Sequence, residues 1–182
     1  DTPPTAVEKA RELVTRLKKF EKIADYPLGT DFKGTLREYQ EHGFKWLRFL
    51  KEYGFSGCLA DDMGLGKTVQ TLALLQTLKE ENQLNRSLLV VPVSALPNWE
   101  AEIKRFAPGL TVHIHMGPNR NNRKQKAARV GKDLVITSYG TLRSDIDELA
   151  DTPLDWVILD ESQNIKNPVS QVSRAVKLLT CN

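Results

Sequence analysis

Two short stretches carry residues that could do chemistry: DDMGLGKT at 61–68 and VILDES at 157–162. In the first, Gly64 and Gly66 flank Leu65 just ahead of Lys67 and Thr68. Glycines let backbone N–H groups turn inward around phosphate oxygens with no Cβ in the way. The helix that follows the loop would add the positive end of its dipole. Lys67 would reach the outer phosphates, and the Thr68 hydroxyl would ligate Mg2+. The strict phosphate-loop pattern has glycine where Asp61 stands, so a plain glycine-rich connection before a helix is the alternative. The second stretch ends an apolar run on Asp160 and Glu161. A carboxylate at a strand end can hold the cation of a nearby phosphate loop, which suits Asp160. Its neighbour points another way and can orient an attacking water, which suits Glu161. A strand that merely ends in solvated acids is the competing reading.

These residues need a scaffold, and the apolar pattern supplies one. Short Val/Ile/Leu-rich runs at 57–60, 87–93, 111–116, 133–139 and 155–161 read as strands buried on both faces. Helical periodicity fills the intervals at 66–81, 96–106, 120–130 and 141–149. A further helix is expected to start at Asn167-Pro168, with Val169, Val172, Val176 and Leu179 as its apolar stripe. Upstream, Leu36, Tyr39, Gly43, Trp46, Leu47 and Leu50 recur on one helical face. The alternation predicts an α/β fold, a parallel sheet with helices on both faces. Residues 1–34 read as a charged helix (6–24) and a linker, and residues 35–182 as the domain.

With 182 residues, the chain has room for one real core. Its net charge of +3 permits a nucleic-acid partner without arguing for one. The basic run 119–132 reads as a solvated helix face rather than a DNA patch. Two distant cysteines, Cys58 and Cys181, suit a reducing compartment. No apolar run reaches membrane-spanning length, and DTPPTAVEKA has no signal-peptide core, so an intracellular protein is expected. His42, His113 and His115 form no metal-ligand set. NIKN at 164–167 lacks the aspartate of a guanine reader, which disfavours a GTPase.

Five segments then carry a resemblance. LREYQEHGFKWL, ADDMGLGKTVQTLALL, VVPVSALPNWEAEIKRFAP, DLVITSYGTLRSD and DWVILDESQNIKNP occur in the order of the Swi/Snf-type ATPases, DNA translocases of helicase superfamily two. In that family an aspartate stands where Asp61 does, which accounts for the departure at this position. The resemblance implies a RecA-like first lobe that uses ATP and Mg2+, with Gln40 reading the adenine edge. It implies that Ser94, Thr137 and Ser138 lie in motifs gripping one strand of duplex DNA by its phosphates. It also implies a second RecA-like lobe supplying arginines to the reaction, so that the present chain alone should bind nucleotide weakly and scarcely hydrolyse it. Trp46, Trp99 and Trp156 are read as core. Ser162 departs from the family's alanine with little expected loss. Localisation would be the nucleoid in a bacterium and the nucleus otherwise. An RNA-dependent helicase lobe and a nucleotide-gated scaffold remain the alternatives.

Overall fold

Four of the apolar runs become a parallel sheet: β1 (Ser87–Val91), β2 (Val112–Ile114), β3 (Leu134–Ser138) and β4 (Trp156–Leu159), in the order β2-β3-β1-β4. In this computed structural model, residues 7, 8, 11, 14, 15, 22–151 and 153–181 are described. Of the helix expected over 6–24, positions 7, 8, 11, 14 and 15 are helical and 22–24 are not; the rest of it lies outside the described residues. Ser87 sits opposite Leu134 on one side and Trp156 on the other, and the register runs on to Val91 opposite Ser138.

Consecutive strand residues point to opposite faces, so each central strand feeds two cores. Leu89, Val91, Leu134 and Ile136 join Phe44, Leu72, Leu75, Trp99 and Ile103 in one cluster. Helices α1 (Glu38–Glu52), α2 (Lys67–Glu80) and α3 (Leu96–Phe106) supply that cluster. Leu88, Val90 and Val135 join Tyr139, Leu142, Leu149 and Ala175 in the other. That second layer comes from α5 (Tyr139–Ser144), α6 (Ile146–Ala150) and α7 (Gln171–Leu178); α4 (Arg123–Arg129) lies in the connection from β2 to β3. Each large aliphatic side chain fully buried here is worth roughly 1.5–3 kcal/mol. The α/β architecture expected from the sequence is therefore present.

Several expectations need correction. Residues 57–60 form no strand and are largely exposed. An apolar run becomes a strand only where a neighbour satisfies its N–H and C=O groups, and this segment pairs with no strand among the described residues. The last helix begins at Gln171, not at Asn167-Pro168. The Asn167 side chain accepts from Val169 N, closing a turn, and Ser170 is the true cap, accepting from Ser173 N. Val169 is consequently exposed, while Val172, Val176 and Leu179 pack as expected. On α1 the inward residues are Gln40 and Phe44, and Tyr39 is 40 % exposed. Trp156 is partly buried and packs against the first core as expected, whereas Trp46 lines an open groove of about 790 Å3 against residues 58–61.

The single helix expected at 141–149 is two, broken at Asp145. That carboxylate is taken by His115 Nε2 at 2.9 Å and by a forked contact from Arg120. Lys126 and Arg129 likewise pair with Glu148, so half of the basic run is spent within the lobe. The stretch expected as a linker is strapped down. Glu80 receives the backbone N–H groups of Thr30 and Asp31, and Phe32 is buried against Phe106.

Candidate functional site

The phosphate-loop candidate closes on itself. Gly64 and Gly66 have φ of 82° and 81°, the left-handed region that glycine enters without strain. A Cβ on Gly66 would stand 2.5 Å from Gln40 Nε2, so a side chain here would also push the Gln40 amide aside. Gly66 is the N-cap of α2, the 14-residue helix that starts at Lys67. Lys67 Nζ donates to the carbonyls of Asp61 at 2.7 Å and Asp62 at 3.0 Å, and to no carboxylate among the described residues. Asp61 has work of its own: its carboxylate accepts from Gln70 Nε2 at 2.9 Å, beneath the loop. Thr68 stands in the first turn of α2, half-buried.

Gln40 is brought to this loop, but both ends of its amide are engaged. Its Oε1 accepts from Arg37 N at 2.9 Å, capping α1, and its Nε2 donates to Leu65 O at 3.0 Å. Tyr39 reaches the same carbonyl through its hydroxyl. Reading an adenine edge would require Gln40 to exchange these bonds.

The acidic candidate is built differently. Asp160 follows β4, and its N–H bonds to Val90 O of β1, extending the ladder by one step. Trp99 Nε1 donates to Asp160 Oδ2 at 2.8 Å, and Glu161 N donates to Oδ1 at 3.0 Å. The Tyr139 hydroxyl donates to the Asp160 carbonyl at 2.6 Å. Burial, with the charges of Asp160 and Glu161 close by, pushes the Tyr139 phenol up to about 12, so it remains a donor. Trp99 belongs to the core on one face of the sheet and Tyr139 to the core on the other. Asp160 is thus clasped from both.

Glu161 is exposed and adopts φ 51°, ψ 54°, a left-handed conformation that costs a non-glycine residue on the order of 1–2 kcal/mol. Its carboxylate accepts from Gln163 Nε2, and its carbonyl accepts from Asn164.

The residues expected to meet DNA divide. Ser94 is exposed, in the short 3-10 turn Val93–Ala95 between β1 and α3. Thr137 is fully buried inside β3, its hydroxyl donating to His115 O at 3.0 Å, so it offers no surface to a phosphate. The Ser138 hydroxyl is committed to the cap of α5, accepting from Thr141 N. Sequence reasoning missed the link from Trp99 to Asp160. The available signal was general: a buried indole N–H needs an acceptor.

Comparison with known proteins adds the relationships. The family model described as the SNF2-related domain matches residues 39–182. A Bacillus subtilis protein, YwqA, provisionally named an ATP-dependent helicase/translocase, is 43 % identical over 174 residues, 94 % of this chain and 19 % of that protein. The TATA-binding protein-associated factor MOT1 of Saccharomyces cerevisiae is 33 % identical over 96 % of this chain and 10 % of its own length. Among solved structures, the Sulfolobus solfataricus SWI2/SNF2 ATPase core in complex with dsDNA superposes with a TM-score of 0.76 at 39 % identity. That match covers 89 % of this chain and 32 % of the other. The chain therefore spans about a fifth or less of these two relatives and about a third of the solved core.

Proposed function

Because the chain belongs to the SNF2-related domain family, we propose that it is the nucleotide-binding lobe of an ATP-driven motor working on duplex DNA. The observation that carries this is the loop 64–68: two left-handed glycines, a helix N-terminus and a lysine whose charge, among the described residues, meets only carbonyl oxygens. Those carbonyls are exchangeable for phosphate oxygens, which would neutralise the ammonium as carbonyls cannot. The residues fit the group in this respect.

Thr68 and Asp160 supply the hydroxyl and carboxylate oxygens that a hard divalent cation prefers. When bound, Mg2+ neutralises charge on the transferring phosphoryl group. Lys67 would leave the Asp61 and Asp62 carbonyls to hold the outer phosphates. Gln40 would trade Leu65 for adenine. Glu161, exposed and in a left-handed conformation, would orient the attacking water and accept its proton. Ser94 is the accessible candidate for a DNA phosphate, and such a contact carries no sequence preference. That an archaeal SWI2/SNF2 core is solved with dsDNA supports duplex DNA as the partner. A second RecA-like lobe would supply the arginines, and the present chain alone is expected to turn over scarcely any ATP. Among the described residues no helix is long and apolar enough to cross a membrane; the work proposed belongs inside the cell, where ATP and DNA are.

The test is the ATPase rate of the complete protein at one stated salt concentration, without nucleic acid and with duplex DNA, single-stranded DNA or duplex RNA. Stimulation by duplex DNA is expected. Stimulation by RNA alone would move the protein to an RNA-dependent activity. ATP binding without turnover under every condition would make it a nucleotide-gated scaffold.

A further inference from the structure

The clasp on Asp160 has a feature that packing alone does not demand. Trp99 is 3 % exposed, on the first turns of α3, and its ring fills the core on one face of the sheet. Yet its indole N–H reaches past the end of β1 to the carboxylate that follows β4. The acceptor is Asp160 Oδ2 itself, not a nearby backbone carbonyl. Oδ1 is occupied by the N–H of Glu161, the adjacent residue. The carboxylate plane is therefore fixed by two donors at about 3 Å, each leaving its oxygen a free lone pair. A donor on a ligating carboxylate orients it before the ion arrives.

We propose that Trp99 is a positioning residue for the divalent cation: its indole N–H sets the Asp160 carboxylate in the orientation that binds Mg2+ with nucleotide. The inference rests on the assignment of Asp160 to the cation made above. The location of Trp99 gives the arrangement a second consequence. The indole lies five residues after Ser94, on the helix that the 3-10 turn Val93–Ala95 leads into. The turn and the helix together connect the residue proposed to meet a DNA phosphate with the carboxylate proposed to hold the metal.

The experiment uses the complete protein and the fluorescent probe N-methylanthraniloyl-ADP. Its Kd is measured in Mg2+ and in EDTA for the wild type, Trp99→Phe and Asp160→Asn. The phenylalanine keeps an aromatic ring in the core and deletes the donor. Trp99→Phe should lower the ratio of the EDTA to the Mg2+ Kd by about tenfold, with the EDTA Kd unchanged. A wild-type ratio in Trp99→Phe, alongside a lost ratio in Asp160→Asn, overturns the inference and leaves the metal assignment standing. Equal weakening of both Kd values in Trp99→Phe marks a packing role and overturns it too. A wild-type ratio in Asp160→Asn removes the metal assignment and the inference with it. If Trp99→Phe does not fold, benzothienylalanine at position 99 keeps the indole shape without the N–H and is held to the same outcomes.

Discussion

The two loops that carry the chemistry are held in opposite ways. Residues 61–68 are bonded mainly to themselves and to α1: Lys67 to carbonyls five and six positions back, and Leu65 to Gln40 and Tyr39. Met63, at the tip, is 89 % exposed. Asp160, which opens the acidic loop, is instead anchored by side chains from both faces of the sheet, Trp99 and Tyr139, and by a ladder bond to β1. One loop must exchange its bonds to take a phosphate. The other already holds its carboxylate in place. The difference follows from position: Asp160 caps a paired strand, whereas residues 57–60 have no paired neighbour among the described residues.

Mutations can break this contrast. Glu161→Gln should cut turnover of the complete protein by about 10²–10⁴-fold while leaving nucleotide affinity intact, because the group acts on water and not on binding. Parallel kcat and Kd measurements check this, and a matching loss of affinity would make the acidic loop a binding element. Gly66→Ala strikes the other loop. Its φ of 81° and the crowding from Gln40 should cost about 1–2 kcal/mol in denaturant unfolding and weaken nucleotide binding. Adding Gln40→Ala should recover the crowding portion and leave the backbone portion. Glu161→Asn tests stored strain, since asparagine tolerates the left-handed region. Stability should rise by up to about 1 kcal/mol as activity disappears.

The smallest effect should come from pH and should touch neither loop. Burial holds His113 and His115 below the ordinary histidine value, so the unfolded chain binds more protons and stability falls as pH drops from about 6.5. The hydrogen bond from Arg120 holds Asp145 below the usual carboxylate range. Its contribution is therefore fully present above that range and is lost only on stronger acidification. Unfolding midpoints should fall between pH 7 and 5 in the wild type and fall less in His115→Gln.

Much of the molecule was legible in the sequence because period and punctuation act locally. The four paired strands and α3 fall within the apolar runs and the 96–106 periodicity, and Gly64, Gly66 and Lys67 occupy the loop their spacing implied. What was not legible depends on distant partners. No local pattern reveals that residues 57–60 pair with no strand among the described residues, or that Thr137 turns inward to His115. The false helix start at Asn167-Pro168 arose because asparagine before proline can close a turn as readily as cap a helix. The clasp of Trp99 on Asp160 spans 61 positions and becomes visible only once β1 and β4 lie side by side.

The most direct test of the central claim, that 61–68 takes the nucleotide phosphates, is backbone hydrogen exchange of the complete protein with and without Mg-ADP. The account predicts strong added protection at 61–68 and little change at the strand end around Asp160, which is already braced. Unaltered exchange at 61–68 with nucleotide demonstrably bound would contradict it.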